Sequence, residues 1–159
     1  MPKRTIVVAY SLNKIIGNNN KLLWNQSSDL KRFREITQNS TVVMGRKTFD
    51  SIGKKLPKRR NIIISNTQYK GIETMNINQV RNLNEDIFII GGGQIYKELL
   101  NDSHEILATL IHSKFEGDTI FPEIDGRWML VEASYHKADE KNQFGYSFLK
   151  YTNRILKPN

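Results

Sequence analysis

A chain of 159 residues with 38% hydrophobic and 25% charged content has the length of one domain and the composition of a globular one. Cysteine is absent, which excludes disulfides, thiolate metal sites and cysteine nucleophiles. No apolar run approaches the ~18–20 residues needed to cross a bilayer. The formal net charge of +8 points to an anionic partner (nucleic acid, a phosphate-bearing cofactor or a carboxylate substrate) or simply to a solvated basic surface. The opening residues Met1-Pro2-Lys3-Arg4 lack the apolar region and cleavage site of a secretory leader. The expectation is one cytoplasmic domain over residues 1–159.

In chain order, Thr5-Ile6-Val7-Val8-Ala9-Tyr10 reads as a β-strand, followed by turn residues at 17–20. Ser27 and Ser28 are N-cap candidates for a helix with Leu30, Phe33 and Thr37 on one face. Thr41-Val42-Val43-Met44 predicts a strand that runs into Gly45-Arg46-Lys47-Thr48 and a short helix. Residues 61–65 and 87–90 are continuously apolar rather than alternating, the pattern of parallel strands covered on both faces. Gly91-Gly92-Gly93 opens a helix carrying Ile95, Tyr96, Leu99 and Leu100, and residues 105–112 form another strand. Residues 128–135 and 144–151 are longer and more alternating, with a polar stretch between them, as in an antiparallel hairpin. The predicted fold is α/β: a mostly parallel sheet with flanking helices and an antiparallel C-terminal edge.

Two strands run through glycine into a helix, at 42–49 and at 89–96. Such junctions suit phosphate, because a helix start offers unpaired N–H groups and glycine lets the backbone approach. Neither is a P-loop or a GxGxxG, and glycine is also a common turn residue. Asp29 reads either as a first-turn carboxylate that complements the helix dipole or as an acid facing an apolar cleft, where its pKa rises unless it is paired. Thr109, inside an apolar strand, needs a partner for its hydroxyl, which local backbone can also supply. Trp24 reads as core. The run Lys54-Lys55-Leu56-Pro57-Lys58-Arg59-Arg60 is either a carboxylate or phosphate clamp or a solvated loop. His104, His112 and His136 show no ligand spacing, so no metal site is expected.

The succession IIG, Trp24, Asp29-Leu30, Phe33, VVMGRKTFDSIG, LPKRRNIIIS, IIGGGQIY and EGDTIFP resembles dihydrofolate reductase over nearly the whole chain. That resemblance implies a mixed eight-stranded sheet. It implies reduction of 7,8-dihydrofolate to 5,6,7,8-tetrahydrofolate, with hydride from NADPH to C6 and a solvent-derived proton to N5, in support of one-carbon and thymidylate metabolism. Asp29 would anchor the pterin through its 2-amino group and N3, with Thr109 as its buried partner. Trp24 would hold an ordered water, and the donor of the N5 proton would be water entering beside Leu22. Val7, Val8, Leu30, Phe33, Ile52 and Leu56 would wall the rings, and Arg59 would pair with the glutamate α-carboxylate. On the cofactor side, Ala9, Ile16, Gly17, Asn20 and Leu22 would border the nicotinamide. Gly45, Arg46, Lys47, Thr48 and Ser51 would hold phosphates and the adenosine end, flanked by Ser65 and Asn66. Ile90, Gly91, Gly92, Gly93, Gln94, Ile95 and Tyr96 would meet the pyrophosphate, with a cis Gly91–Gly92 bond. Residues 16–24 would act as a lid.

The resemblance also implies a monomer that binds dihydrofolate and antifolate inhibitors, with no nucleic-acid or membrane partner. Three features depart from the family pattern. Leu23 stands where proline is usual, and Gln94 stands where some relatives carry arginine, which leaves NADPH preference mainly to Arg46, helped by Lys47 and Ser65. Asn18-Asn19-Asn20 makes the lid unusually polar. The rival enzyme is the reductase of riboflavin synthesis, against which Trp24, Asp29 and Phe33 speak. A catalytically dead relative and a nucleic-acid-binding protein are the further alternatives. No recognisable nucleic-acid module supports the latter.

Overall fold

Runs of β-branched residues too short for helices become strands, and the computed structural model assembles them into two sheets; it describes residues 2–17 and 23–156. In chain order the elements are β1 (Arg4–Ser11), β2 (Ile15–Gly17), α1 (Ser27–Thr37), β3 (Thr41–Gly45), α2 (Arg46–Ile52), β4 (Arg60–Ile64), β5 (Thr74–Met75), α3 (Ile77–Arg81), β6 (Ile87–Ile89), α4 (Gly93–Leu99), a 3₁₀ turn (Leu100–Asp102), β7 (Glu105–Ile111), β8 (Thr119–Ile120), β9 (Trp128–His136) and β10 (Tyr146–Asn153). The main sheet has eight strands in the order β5-β4-β3-β6-β1-β7-β10-β9, and β2 pairs with β8 in a separate ribbon. Pairings are parallel from β5 to β7. β10 runs antiparallel to both β7 and β9, which gives the expected antiparallel edge.

The continuous apolar runs are explained by the two cores. Val43 of β3 joins Ile6, Ile89, Leu99 and Ile106 on one face, whereas Val42 and Met44 join Phe49 of α2 and Ile63 on the other. A strand covered on both faces has no solvent side to alternate with. β9 departs from expectation in the opposite sense. It is exposed along most of its length rather than alternating, because it is the outer strand of the sheet and pairs only with β10.

Helix α1 starts one position before the expected caps. Gln26 is its N-cap without a side-chain cap bond, and the Ser28 N–H donates instead to Asn142 Oδ1 at 2.9 Å. Gln26 is committed elsewhere: its Nε2 donates to the Phe144 carbonyl and its Oε1 accepts from the Phe144 N–H. These bonds tie the start of α1 to the β9–β10 connection. Among the described residues, no helix is long and apolar enough to cross a membrane.

Candidate active site

A cleft of about 1290 Å³ opens along the C-terminal halves of the parallel strands, between α1 on one side and the starts of α2 and α4 on the other. This is where an open α/β sheet places its ligands, since loops leaving strand ends in different directions part there. Val7, Val8 and Ala9 of β1, Gly45 of β3 and Thr109 of β7 lie along it.

Asp29 enters the cleft from the first turn of α1, and Thr109 meets it from β7. The Thr109 hydroxyl, in a side chain only 2% exposed, donates to Asp29 Oδ1 at 2.7 Å. The two readings of Asp29 therefore combine: it complements the helix start and is also a cleft acid with a built partner. Burial pushes its carboxyl above the usual carboxylate range, while the Thr109 hydrogen bond and the Arg32 guanidinium pull the other way. Tyr96 lies close by, and burial together with the Asp29 charge pushes its phenol well up. Its hydroxyl donates to the Val7 carbonyl at 2.7 Å.

Around this acid the walls are apolar. Val7, Val8, Leu30, Phe33, Ile52 and Leu56 all line the cleft. Leu30 is 52% and Ile52 38% exposed, so these side chains are presented to the cleft without being covered. Arg59 stands at one margin with its guanidinium already held: Nε donates to the Pro57 carbonyl at 3.0 Å and Nη1 to Thr37 Oγ1 at 3.3 Å. Arg60, its neighbour, has a different role, pairing with Glu73 and Glu85. Lys54, Lys55 and Lys58 are exposed, in keeping with a solvated loop.

The two strand–glycine–helix junctions form one structure. The Gly45 N–H donates to the Gly91 carbonyl at 2.8 Å, so the start of α2 is fastened to the start of α4. The Gly91–Gly92 peptide is cis, as expected, and Gly91 has a φ of 126°, a region open to glycine and closed to most side chains. A Cβ on Gly93 would stand 2.5 Å from Thr119 Cγ2, which leaves no space for a side chain there. Neither α2 nor α4 is capped by a side chain at its start. Arg46 and Lys47 are exposed at the cleft, with the Arg46 guanidinium 5.5 Å from the centre of the Tyr69 ring. Thr48, Ser51, Ile90, Gly92, Ile95 and Tyr96 line the same end, as do Ile16 and Gly17 of β2. Gln94 is there too, its amide donating to Glu98 at 2.7 Å.

Three expected residues fall outside the cleft lining. Trp24 packs with Ile111 and Tyr146, its ring 5.3 Å from that of Phe115, and its buried Nε1 has no acceptor among the described residues. Ser65 and Asn66 follow β4, where the Ser65 hydroxyl is engaged by the Thr67 backbone. Asn20 and Leu22, with the polar run 18–20, lie outside the described residues.

A family model described as dihydrofolate reductase matches residues 3–153. The chain belongs to the dihydrofolate reductase family. Curated dihydrofolate reductases from Bacillus subtilis and Haemophilus influenzae are 36% and 37% identical to it, each over 94% of this chain and over 94% and 98% of their own. A solved dihydrofolate reductase from Enterococcus faecalis, complexed with NADP(H) and RAB-propyl, superposes with a TM-score of 0.87 at 32% identity. That match covers 95% of this chain and 96% of the other. The eight-stranded sheet and the enzyme class expected from the sequence both hold.

Two residues of the site escaped the sequence reading. Asn61, 5% exposed, accepts from the Leu56 N–H at 2.8 Å and donates to the Leu56 and Arg59 carbonyls, both at 2.9 Å. It thereby shapes the loop that presents Leu56 and Arg59. The only available signal was an amide at the head of an apolar strand. Arg32 lines the cleft one helical turn after Asp29, on the same face of α1. In the sequence it is one more cation in a basic stretch.

Proposed function

We propose that the chain, acting as a monomeric single domain, reduces 7,8-dihydrofolate to tetrahydrofolate with NADPH in this cleft. The observation that carries the reading is the Asp29–Thr109 pair, a half-buried carboxylate with a fixed, buried hydroxyl partner, facing apolar walls opposite two joined glycine junctions. An acid so placed recognises an adjacent pair of N–H donors, such as the 2-amino group and N3 of a pterin. Diaminopyrimidine antifolates fit the same carboxylate as cations.

The residues of the other half fit a phosphate-bearing dinucleotide. Glycines at both junctions bring backbone N–H groups to the surface, and Arg46 and Lys47, exposed beside the start of α2, supply positive charge. NADPH, when bound, supplies the hydride that goes to C6. The protein's own contribution is alignment and charge. Asp29 orients the ring and polarises it through the N3 edge. N5 lies on the far side of the pterin from that anchor, so its proton comes from water. The apolar walls exclude bulk solvent, and Arg59 holds the glutamate α-carboxylate bidentately.

The test is absorbance loss at the NADPH band with dihydrofolate, for the wild type beside Asp29→Asn. Dihydrofolate-dependent oxidation that collapses in the variant is expected. No oxidation, with NADPH still protecting the fold against heat, would transfer the site to another reduced substrate. Absence of both would overturn the reading in favour of the basic surface, to be checked by salt-dependent binding to random DNA.

A further inference from the structure

Helix α1 grips β7 at two successive residues. Asp29 takes the Thr109 hydroxyl, and Arg32, three positions on, donates from Nη1 to the Ala108 carbonyl at 3.3 Å. The Arg32 guanidinium also lies 4.2 Å from the centre of the Phe148 ring on β10. Phe148 stands opposite Thr109 in the β7–β10 register, so the carboxyl and the guanidinium rest on facing positions of one sheet surface. A cation over an aromatic ring, with a carbonyl on one edge, is held in place without needing an ion pair. Asp29 lies three positions earlier on the same face of the helix, near enough to feel that charge.

We propose that Arg32 is a positioning residue for this reaction: seated between β7 and Phe148, it sets the charge on the Asp29 carboxyl and with it the pH range of the enzyme. Its relevance to turnover rests on the reading of Asp29 as the pterin anchor.

The charged and titratable groups around the pair are few. Arg32 is the cation acting on Asp29 from α1 itself, Thr109 faces it from β7 as a neutral donor, and Tyr96 approaches from α4. Glu132 on β9 acts on Arg32 from beyond the ring, with Lys150 of β10 opposite it in register. His136 packs on Phe148 at 5.2 Å from the side of β9. Asp29, Arg32 and Glu132 thus alternate in sign from the cleft to the surface. Removing the central cation leaves the inner carboxylate facing burial with only Thr109 to support its charge. Removing the outer anion frees the cation to act inward.

The experiment titrates the Asp29 carboxyl by carbon-13 NMR in the full-length protein, and follows kcat/KM for dihydrofolate against pH. Arg32→Gln is expected to raise the Asp29 midpoint by about one pH unit, the lower end of what a nearby opposite charge does to a carboxyl. Arg32→Lys should restore most of it, since charge rather than shape is at issue. Glu132→Gln, on an exposed strand and so no threat to folding, should move the midpoint slightly downward. The pH profile of kcat/KM should move with the midpoint in each variant. An unmoved midpoint in Arg32→Gln, or an equal shift in Arg32→Lys, overturns the proposal. If Arg32→Gln does not fold, the Glu132→Gln shift decides: downward supports the proposal, and none or upward refutes it. A wild type without dihydrofolate-dependent oxidation would instead refute the functional reading, while the NMR midpoints still decide the role of Arg32.

Discussion

Asn61→Ala separates the support of the Arg59 loop from the chemistry. The side chain makes three hydrogen bonds to backbone groups of residues 56 and 59, at 2.8, 2.9 and 2.9 Å. At about 0.5–1.5 kcal/mol each, the three contribute about 1.5–4.5 kcal/mol. The loop is largely exposed and water recovers part of this, so a loss of about 2–3 kcal/mol is expected, or about 5–10 °C in Tm for a chain of this size. Freed from Asn61, the loop no longer holds Leu56 and Arg59 against the cleft. The KM for dihydrofolate should rise about tenfold, equivalent to about 1.4 kcal/mol, while the KM for NADPH stays put. Asn61→Asp should be worse than the alanine variant, because a buried carboxylate would face two carbonyls that lost their donor. Urea unfolding and steady-state kinetics with each substrate varied in turn measure both effects. A normal KM for dihydrofolate beside lowered stability would show that the loop does not depend on Asn61, and equal rises in both KM values would place its effect outside the substrate side.

The same geometry gives two further expectations. Asp29 has a folded pKa above its unfolded one, so its contribution favours the fold below about pH 4 and is lost as pH rises through the folded value. Asp29→Asn should therefore raise Tm at neutral pH even as it abolishes activity, with the gain shrinking as the pH approaches 4; a variant less stable than the wild type at neutral pH would contradict this. Gly93→Ala drives a methyl into Thr119 at 2.5 Å, an overpacking that costs about 1–3 kcal/mol. It should lower Tm and weaken NADPH binding by calorimetry more than it weakens dihydrofolate binding. Unchanged NADPH affinity would move the cofactor away from α4.

What the sequence discloses depends on how local the cause is. The strands at 41–45 and 87–89 are legible because burial on both faces leaves an uninterrupted apolar run. β5 and β8 are not, because two residues acquire strand geometry only from their neighbours' register, β5 from β4 and β8 from β2. Thr109 announces a need for a partner, but its partner, 80 positions away, becomes visible only in the fold. The helix caps at Ser27 and Ser28 fail for a similar reason: the end of α1 is fixed by Gln26 and Asn142, across a separation of more than a hundred residues. Arg32 acts through a carbonyl 76 positions away, and Asn61 through carbonyls of the loop just before its strand, whose fold around the amide no residue type there announces.

The thin burial of α1 has a consequence for how ligand and fold communicate. Of its residues only Thr37 is fully buried, and its inward apolar side chain Leu30 remains half open to the cleft. The helix is moored chiefly by polar contacts at Gln26, Ser28, Asp29 and Arg32 rather than by a core of its own. A segment so moored opens more easily than the sheet beneath it, and its amides should exchange early. A pterin seated against Leu30 and Phe33 would supply the apolar contact that this helix lacks. At a hundred times its Kd, such a ligand adds about 2.7 kcal/mol to the stability of whatever it holds together. The substrate would then act as a removable piece of the hydrophobic core, and α1 would be firmest while turnover is under way.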